Sequence, residues 1–199
     1  MTLGCGAPES PCRPFEVSDA YMLLPTSASL GGGPAAELSP TGCADFDGVL
    51  LCVRGDGRFV QAGFFNRSDR VLSVRWDEIY LLDENGIERD LAEYPDPRPV
   101  EVVNPEGRSF PQKLVPVEKR TFKSSNGITY QEIEPLIPWT SEPCPERQPV
   151  DEFFSAGREV VVVIPFTIDG SPQEARYTLR LEAVSQSEFY RRLAESRGR

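Results

Sequence analysis

The chain has 199 residues, 39% of them hydrophobic and spread in short runs, which suits one packed domain with extensions. Its 31 acidic against 21 basic side chains leave a net charge of −10. That opposes binding to nucleic acid and to anionic head groups, which depends on Lys and Arg displacing counterions. Histidine is absent, which removes Ser-His-Asp and Cys-His nucleophiles, His bases and the usual His-containing metal sites, so a non-enzyme without metal or cofactor is expected.

In chain order, residues 1–14 read as a polar tether, 15–184 as the folded domain and 185–199 as a tail. The longest apolar run, 160–166, is strand length and far short of the roughly 18 residues of a membrane span, which predicts a soluble body. A first strand is expected within 15–24, and 27–40, with Gly31-Gly32-Gly33-Pro34, as a loop. Val49-Leu50-Leu51-Cys52-Val53 and 58–65 read as a hairpin turned by Arg54-Gly55-Asp56-Gly57. Asn66-Arg67-Ser68-Asp69 turns the chain into a long strand over 71–82 that carries Trp76, and Asp83-Glu84-Asn85-Gly86 turns it again. Short strands are predicted at 87–91, 100–103 and 114–122. Eleven of the nineteen prolines fall between Tyr94 and Val150, so this stretch is expected to be a long loop with brief edge strands.

The late strands carry the clearest pattern. Residues 159–168 are apolar on both faces, as in a central strand. After Asp169-Gly170-Ser171-Pro172, Tyr177, Leu179, Leu181 and Ala183 alternate with Arg176, Thr178, Arg180 and Glu182. Many short strands with turn signals between them predict an all-β, antiparallel sandwich, with Trp76, Tyr80, Val162, Ile164, Phe166, Tyr177, Leu179 and Leu181 between its sheets. Ser185-Gln186-Ser187-Glu188 fits a capping box, and Phe189, Tyr190 and Leu193 an apolar stripe, so the tail is predicted to be a short C-terminal helix.

The five cysteines are Cys5, Cys12, Cys43, Cys52 and Cys144; none forms a CxxC pair. Thr2-Leu3-Gly4-Cys5-Gly6, ahead of a polar stretch, resembles the end of a bacterial lipoprotein signal, with Thr2 where that pattern has a Leu-like residue. The resemblance implies a lipid on Cys5. The other four cysteines allow three pairings, among which sequence proximity favours Cys43 with Cys52 and leaves Cys12 with Cys144; such bonds belong to an oxidising compartment.

A wider likeness covers roughly 65–183. Phe65-Asn66-Arg67-Ser68-Asp69, Trp76-Asp77-Glu78, Asp83-Glu84-Asn85-Gly86, Val115-Pro116, Pro138-Trp139 and Gly157 stand in the order found in a diffuse group of uncharacterised bacterial envelope lipoproteins. The resemblance implies an immunoglobulin-like sandwich in the cell envelope, facing the periplasm or the exterior and touching the membrane only through its N-terminal lipid. It transfers no catalytic residue.

Candidate sites compete with structural explanations. Arg54-Gly55-Asp56 spells an adhesion tripeptide where a hairpin needs Asp-Gly, and Asn66-Arg67-Ser68 fits a glycosylation acceptor where a turn is needed. Asp45, Asp47, Asp83 and Glu84 offer oxygen ligands to calcium without EF-hand spacing. Asp77 and Glu78, adjacent on a strand, face opposite ways and make a poor glycosidase pair. Lys123-Ser124-Ser125-Asn126-Gly127 reads as an exposed turn rather than a Ser-Lys centre. Trp139, on the Pro-rich loop, is the binding candidate, able to anchor a protein partner or stack on a sugar. The expected function is therefore a non-catalytic envelope module meeting another envelope protein through its loops, the alternative being a module that binds glycan or calcium.

Overall fold

The computed structural model describes residues 19–56, 59–83, 85–93, 100–109, 111–116, 120–125, 128–133 and 159–185, together with 187, 188 and 191. The fold is antiparallel β throughout these residues. In chain order the strands are β1 Asp19–Leu30, β2 Cys43–Phe46, β3 Val49–Asp56, β4 Val60–Asn66, β5 Leu72–Arg75, β6 Tyr80–Leu82, β7 Glu88–Glu93, β8 Val100–Val103, β9 Gln112–Pro116, β10 Arg120–Ser125, β11 Ile128–Ile133, β12 Glu159–Ile168 and β13 Ser171–Ser185. The ladder closes on itself. Following hydrogen-bonded neighbours from β13 leads through β1, β3, β4, β9, β7, β6 and β12 back to β13, with β2 attached to β3 and β5–β8 branching from β12. This barrel-like circuit leaves its strands no free edge. β10 and β11 form a separate two-stranded ladder.

The long strands form where the alternation is cleanest. β12 and β13 pair in unbroken register from Glu159↔Arg180 to Ile168↔Ser171. Asp169 and Gly170 turn between them at φ 48° and 77°, the positive pair that a two-residue hairpin requires. β12 alternates inward Val160, Val162, Ile164, Phe166 and Ile168 with outward residues, and even outward Val163 is fully buried between neighbouring strands. Trp76, Val162, Ile164, Phe166, Tyr177, Leu179 and Leu181 are core residues as expected. Tyr80 is not: it pairs with Val163 on the outer face and remains partly exposed.

The expected strand over 71–82 is broken into β5 and β6 by a single 3₁₀ turn, Trp76–Glu78. The cause lies on the facing strand. β12 pairs with β5 at Phe166↔Val74 and with β6 at Val163↔Tyr80, and between these points stands Pro165, which has no N–H to donate. The chain opposite leaves the ladder there and turns Trp76 into the core, 1% exposed.

Other boundaries also differ. β1 overlaps the expected strand and runs on to Leu30, through part of the expected loop. Its small residues carry little hydrophobic signal, yet β13 supplies a full pairing partner to Leu30↔Ala175, and Ala28 is buried. The expected strand over 114–122 is divided between β9 and β10. Lys123, Ser124 and Ser125 lie in β10, paired with Tyr130, Thr129 and Ile128, rather than in a turn. The tail helix lies largely outside the described residues, which show Arg191 bonded to Glu188 at 2.6 Å.

One polar tie crosses the interior and another closes a turn. Tyr177, fully buried, donates its hydroxyl to the Leu51 carbonyl (2.6 Å) and accepts the Ala44 N–H (3.2 Å), joining β13 to β3 and β2. Its ring also packs edge-on to Phe46, centroids 6.4 Å apart. Burial pushes the phenol well above its ordinary value, against a smaller opposite pull from the Ala44 N–H. The sign follows directly. Below pH ~10 both states keep the proton, and at higher pH the unfolded chain ionises first and drains stability by up to about 1.4 kcal/mol per pH unit. Tyr177→Phe is expected to lose about 1–3 kcal/mol at pH 7, because two buried backbone groups lose their partner, and to show a shallower alkaline decline. Urea melts at pH 7 and 11 check both; a variant as stable as the parent at pH 7 rules the tie out.

Asp83 makes the second tie, at the β6–β7 turn. Its Oδ1 accepts the N–H groups of Asn85 and Ile87, both at 2.9 Å, and its Oδ2 meets Arg89 at 3.0 Å. Burial opposes its ionisation, but the two N–H groups and the Arg89 guanidinium outweigh that and hold its carboxyl below the usual range.

Candidate interaction surfaces

Cys43 and Cys52 stand directly opposite in the β2–β3 register and are disulfide-bonded. With a sequence separation of 9, the chain-entropy relation gives about 2.6 kcal/mol of stabilisation. A Cys43→Ser, Cys52→Ser double variant is expected to lose about 2–3 kcal/mol in urea unfolding; an unchanged midpoint contradicts this. Cys5, Cys12, Cys144 and Trp139 lie outside the described residues.

The remaining candidates are largely absorbed by structure. Asn66, fully buried, donates to the carbonyls of Arg70 (2.7 Å) and Val103 (3.0 Å) and accepts from Ser68. It is therefore a turn residue with no room for a glycan. Arg54 of the adhesion-like tripeptide bonds Gln61 Oε1 at 2.7 Å, while Gly57 is outside the described residues. Asp45 accepts the Gly48 N–H (2.8 Å) and Asp47 pairs with Arg70 (2.7 Å), so both carboxylates serve the Asp47-Gly48 turn. Asp77 and Glu78 sit on the 3₁₀ turn, not on a strand, and both reach Arg75, at 3.8 and 2.7 Å. Among the described residues no three His, Cys, Asp or Glu groups are placed to hold a metal.

The pairing registers bring together a surface that sequence reading missed. On β4 the inward residues Val60, Ala62, Phe64 and Asn66 alternate with outward Gln61, Gly63 and Phe65. Directly opposite residues share a face. Leu50 and Arg108 therefore flank Phe65, Cys52 flanks Gly63, and Arg54 and Lys113 flank Gln61. At one end of this strip the Arg108 guanidinium lies 4.5 Å from the Phe65 ring centroid and that of Arg67 5.3 Å. At the other end Lys113 Nζ lies 4.9 Å from the Phe59 ring. Arg67, Arg108 and Lys113 are exposed. Arg67 approaches Asp45 only to 3.8 Å, and Arg108 and Lys113 meet no carboxylate among the described residues. Among the described residues, a chain of net charge −10 thus gathers three exposed cations and two aromatic rings on this outer face, with Asp45, opposite Leu50, at its edge, and the disulfide and the β2–β3–β4 ladder stiffen it. No run in the sequence announces it, because its members are scattered between residues 54 and 113 and meet only through the register.

Two other outer features are weaker. An open cleft of about 530 Å³ lies beside the β12–β13 hairpin, lined by Gly31, Gly32, Pro165, Pro172, Glu174 and Arg176. Its charges satisfy one another, with Arg176 Nε 2.7 Å from Glu174, so it presents little net field. β8 exposes Val100 (50%) and Val102 (58%), but it is four residues long and Asn104-Pro105 follows it. No protein-family model matches the chain, and no curated protein or solved structure was found to be similar to it.

Proposed function

We propose that the chain is a non-catalytic interaction module of the bacterial cell envelope, an immunoglobulin-like sandwich anchored through a lipid on Cys5. The observation that carries the interaction reading is the cationic, aromatic face of β3, β4 and their neighbours: exposed Arg67, Arg108 and Lys113 around Phe65 and Phe59 on a rigid sheet. Arginine and aromatic side chains are what binding surfaces concentrate. The Cys43–Cys52 bond supports an oxidising compartment. Ring contacts from Phe64 to Trp76 and Phe166 support two facing layers within the circuit. Trp139 remains the loop candidate for an envelope protein partner.

A photo-reactive residue at position 108, compared with one at exposed Ile87, tests this. Envelope adducts from position 108 alone are expected. Equal yields from both positions, or none, would contradict a binding face there.

A further inference from the structure

We propose that this face takes a linear acidic polysaccharide, laid along β4 from Phe65 to Phe59. The inference rests on the interaction reading and deepens it by naming what the face holds. The argument starts from shape. The cations form a strip, not a plane: Arg108 and Lys113 stand opposite the outward β4 residues Phe65 and Gln61, and Arg67 follows the end of that strand. The Arg108 and Lys113 positions are separated by four strand residues, about 13 Å along β4, which is more than one sugar ring. Between them lies an apolar step: Gly63 has no side chain, and Pro111 fills the space beside it, 3.5–3.7 Å from where a Cβ would stand.

Charge then selects among anionic partners. The rest of the molecule is acidic, and repulsion reaches over a Debye length of about 8–10 Å. A planar anionic membrane would bring that acidic surround close to its own charge, whereas a single polymer strand meets only the strip. A nucleic-acid strand is held by stacking its bases on open aromatic faces, and here guanidinium and ammonium groups already lie over Phe65 and Phe59. A polyuronate needs no such stacking and presents carboxylates on its own rings. Guanidinium groups bind carboxylates in bidentate fashion, and the rings beneath Arg108 and Lys113 hold these cations on the strip.

The test titrates the full chain with polygalacturonate oligomers, a neutral glucan, single-stranded DNA and anionic vesicles, at about 50 and 200 mM salt. The expected result is binding to polygalacturonate that weakens with salt, with at least tenfold weaker binding to each of the other three. Arg108→Ala and Lys113→Ala should each weaken polygalacturonate binding several-fold with an unchanged melting temperature, and Arg108→Glu more strongly. Exposed Arg75→Ala, on the 3₁₀-turn side, should leave it unchanged. No binding to polygalacturonate, equal binding to DNA or vesicles, or insensitivity to both face variants overturns the proposal. If position-108 adducts are nevertheless proteins, the interaction reading stands and only the polysaccharide falls.

Discussion

Trp76→Ala is expected to cost about 3–5 kcal/mol, a large share of the roughly 5–15 kcal/mol that stabilises a domain. Trp76 is 1% exposed and packs edge-on against Phe64, centroids 6.0 Å apart. Phe64 in turn meets Phe166 of β12 at 5.5 Å, so the indole sits where β4 and β12 approach across the core. Its removal leaves a cavity that the ladder cannot readily collapse into, because β4, β5, β6 and β12 are each paired with a strand on either side. A second loss follows at the branch. Trp76 Nε1 donates to Glu101 Oε2 at 2.9 Å, which holds β8 to the 3₁₀ turn, and an alanine leaves that half-buried carboxylate without its donor. Trp76→Phe separates the two effects: it keeps most of the ring burial and loses the N–H, so about 1–2 kcal/mol is expected. Urea unfolding followed by far-ultraviolet circular dichroism measures both. A Trp76→Ala loss below about 1 kcal/mol would mean that the indole is not a core element.

Gly42→Ala should be nearly as damaging, at about 2–5 kcal/mol, summing a left-handed residue and an overpacked site. β1 pairs with β3 only at Met22↔Asp56 and Leu23↔Gly55 before the two diverge. The segment around Gly42 fills the seam, and its carbonyl accepts the Val53 N–H at 3.1 Å. Gly42 adopts φ +78°, and a Cβ there would lie 2.7 Å from both Pro25 Cγ and the Val53 carbonyl oxygen. Backbone oxygen cannot swing aside as a flexible side chain can. Gly86 provides the control: its φ is +74°, but a Cβ there has nothing within 4 Å. Gly86→Ala should therefore cost only the conformational part, about 1–2 kcal/mol. Equal losses at the two positions would show that close approach at the seam contributes nothing.

These two residues mark what the sequence shows plainly and what it hides. Trp76 is legible as core from its place among alternating strand residues, as are the β12–β13 hairpin and its Asp-Gly turn, because local pattern and tertiary pairing agree there. The break at Trp76–Glu78 is hidden, since its cause is Pro165, nearly ninety residues downstream on the facing strand. The continuation of β1 to Leu30 is hidden for a similar reason: Ser27, Ala28 and Ser29 are ordered by β13 rather than by their own propensity. Tyr80 reads as core only if alternation runs unbroken across a strand that the 3₁₀ turn divides, and the extra residues return it to the outer face. The cationic face is the least legible of all. Each basic residue looks like ordinary surface charge, and only the register that sets Arg108 against Phe65 and Lys113 against Gln61 makes them one surface. The Cys43–Cys52 bond was legible from proximity, since nine residues allow little except a tight hairpin.

The central claim, an envelope module with a lipid on Cys5 and an oxidised core hairpin, is tested most directly by intact mass with thiol alkylation. The protein should be expressed in a bacterium from the gene together with its upstream codons. The account predicts a diacyl or triacyl mass on Cys5, with Cys43 and Cys52 resistant to alkylation until reduced. An unacylated chain with all five thiols alkylated before reduction would place the protein in a reducing compartment and contradict the account.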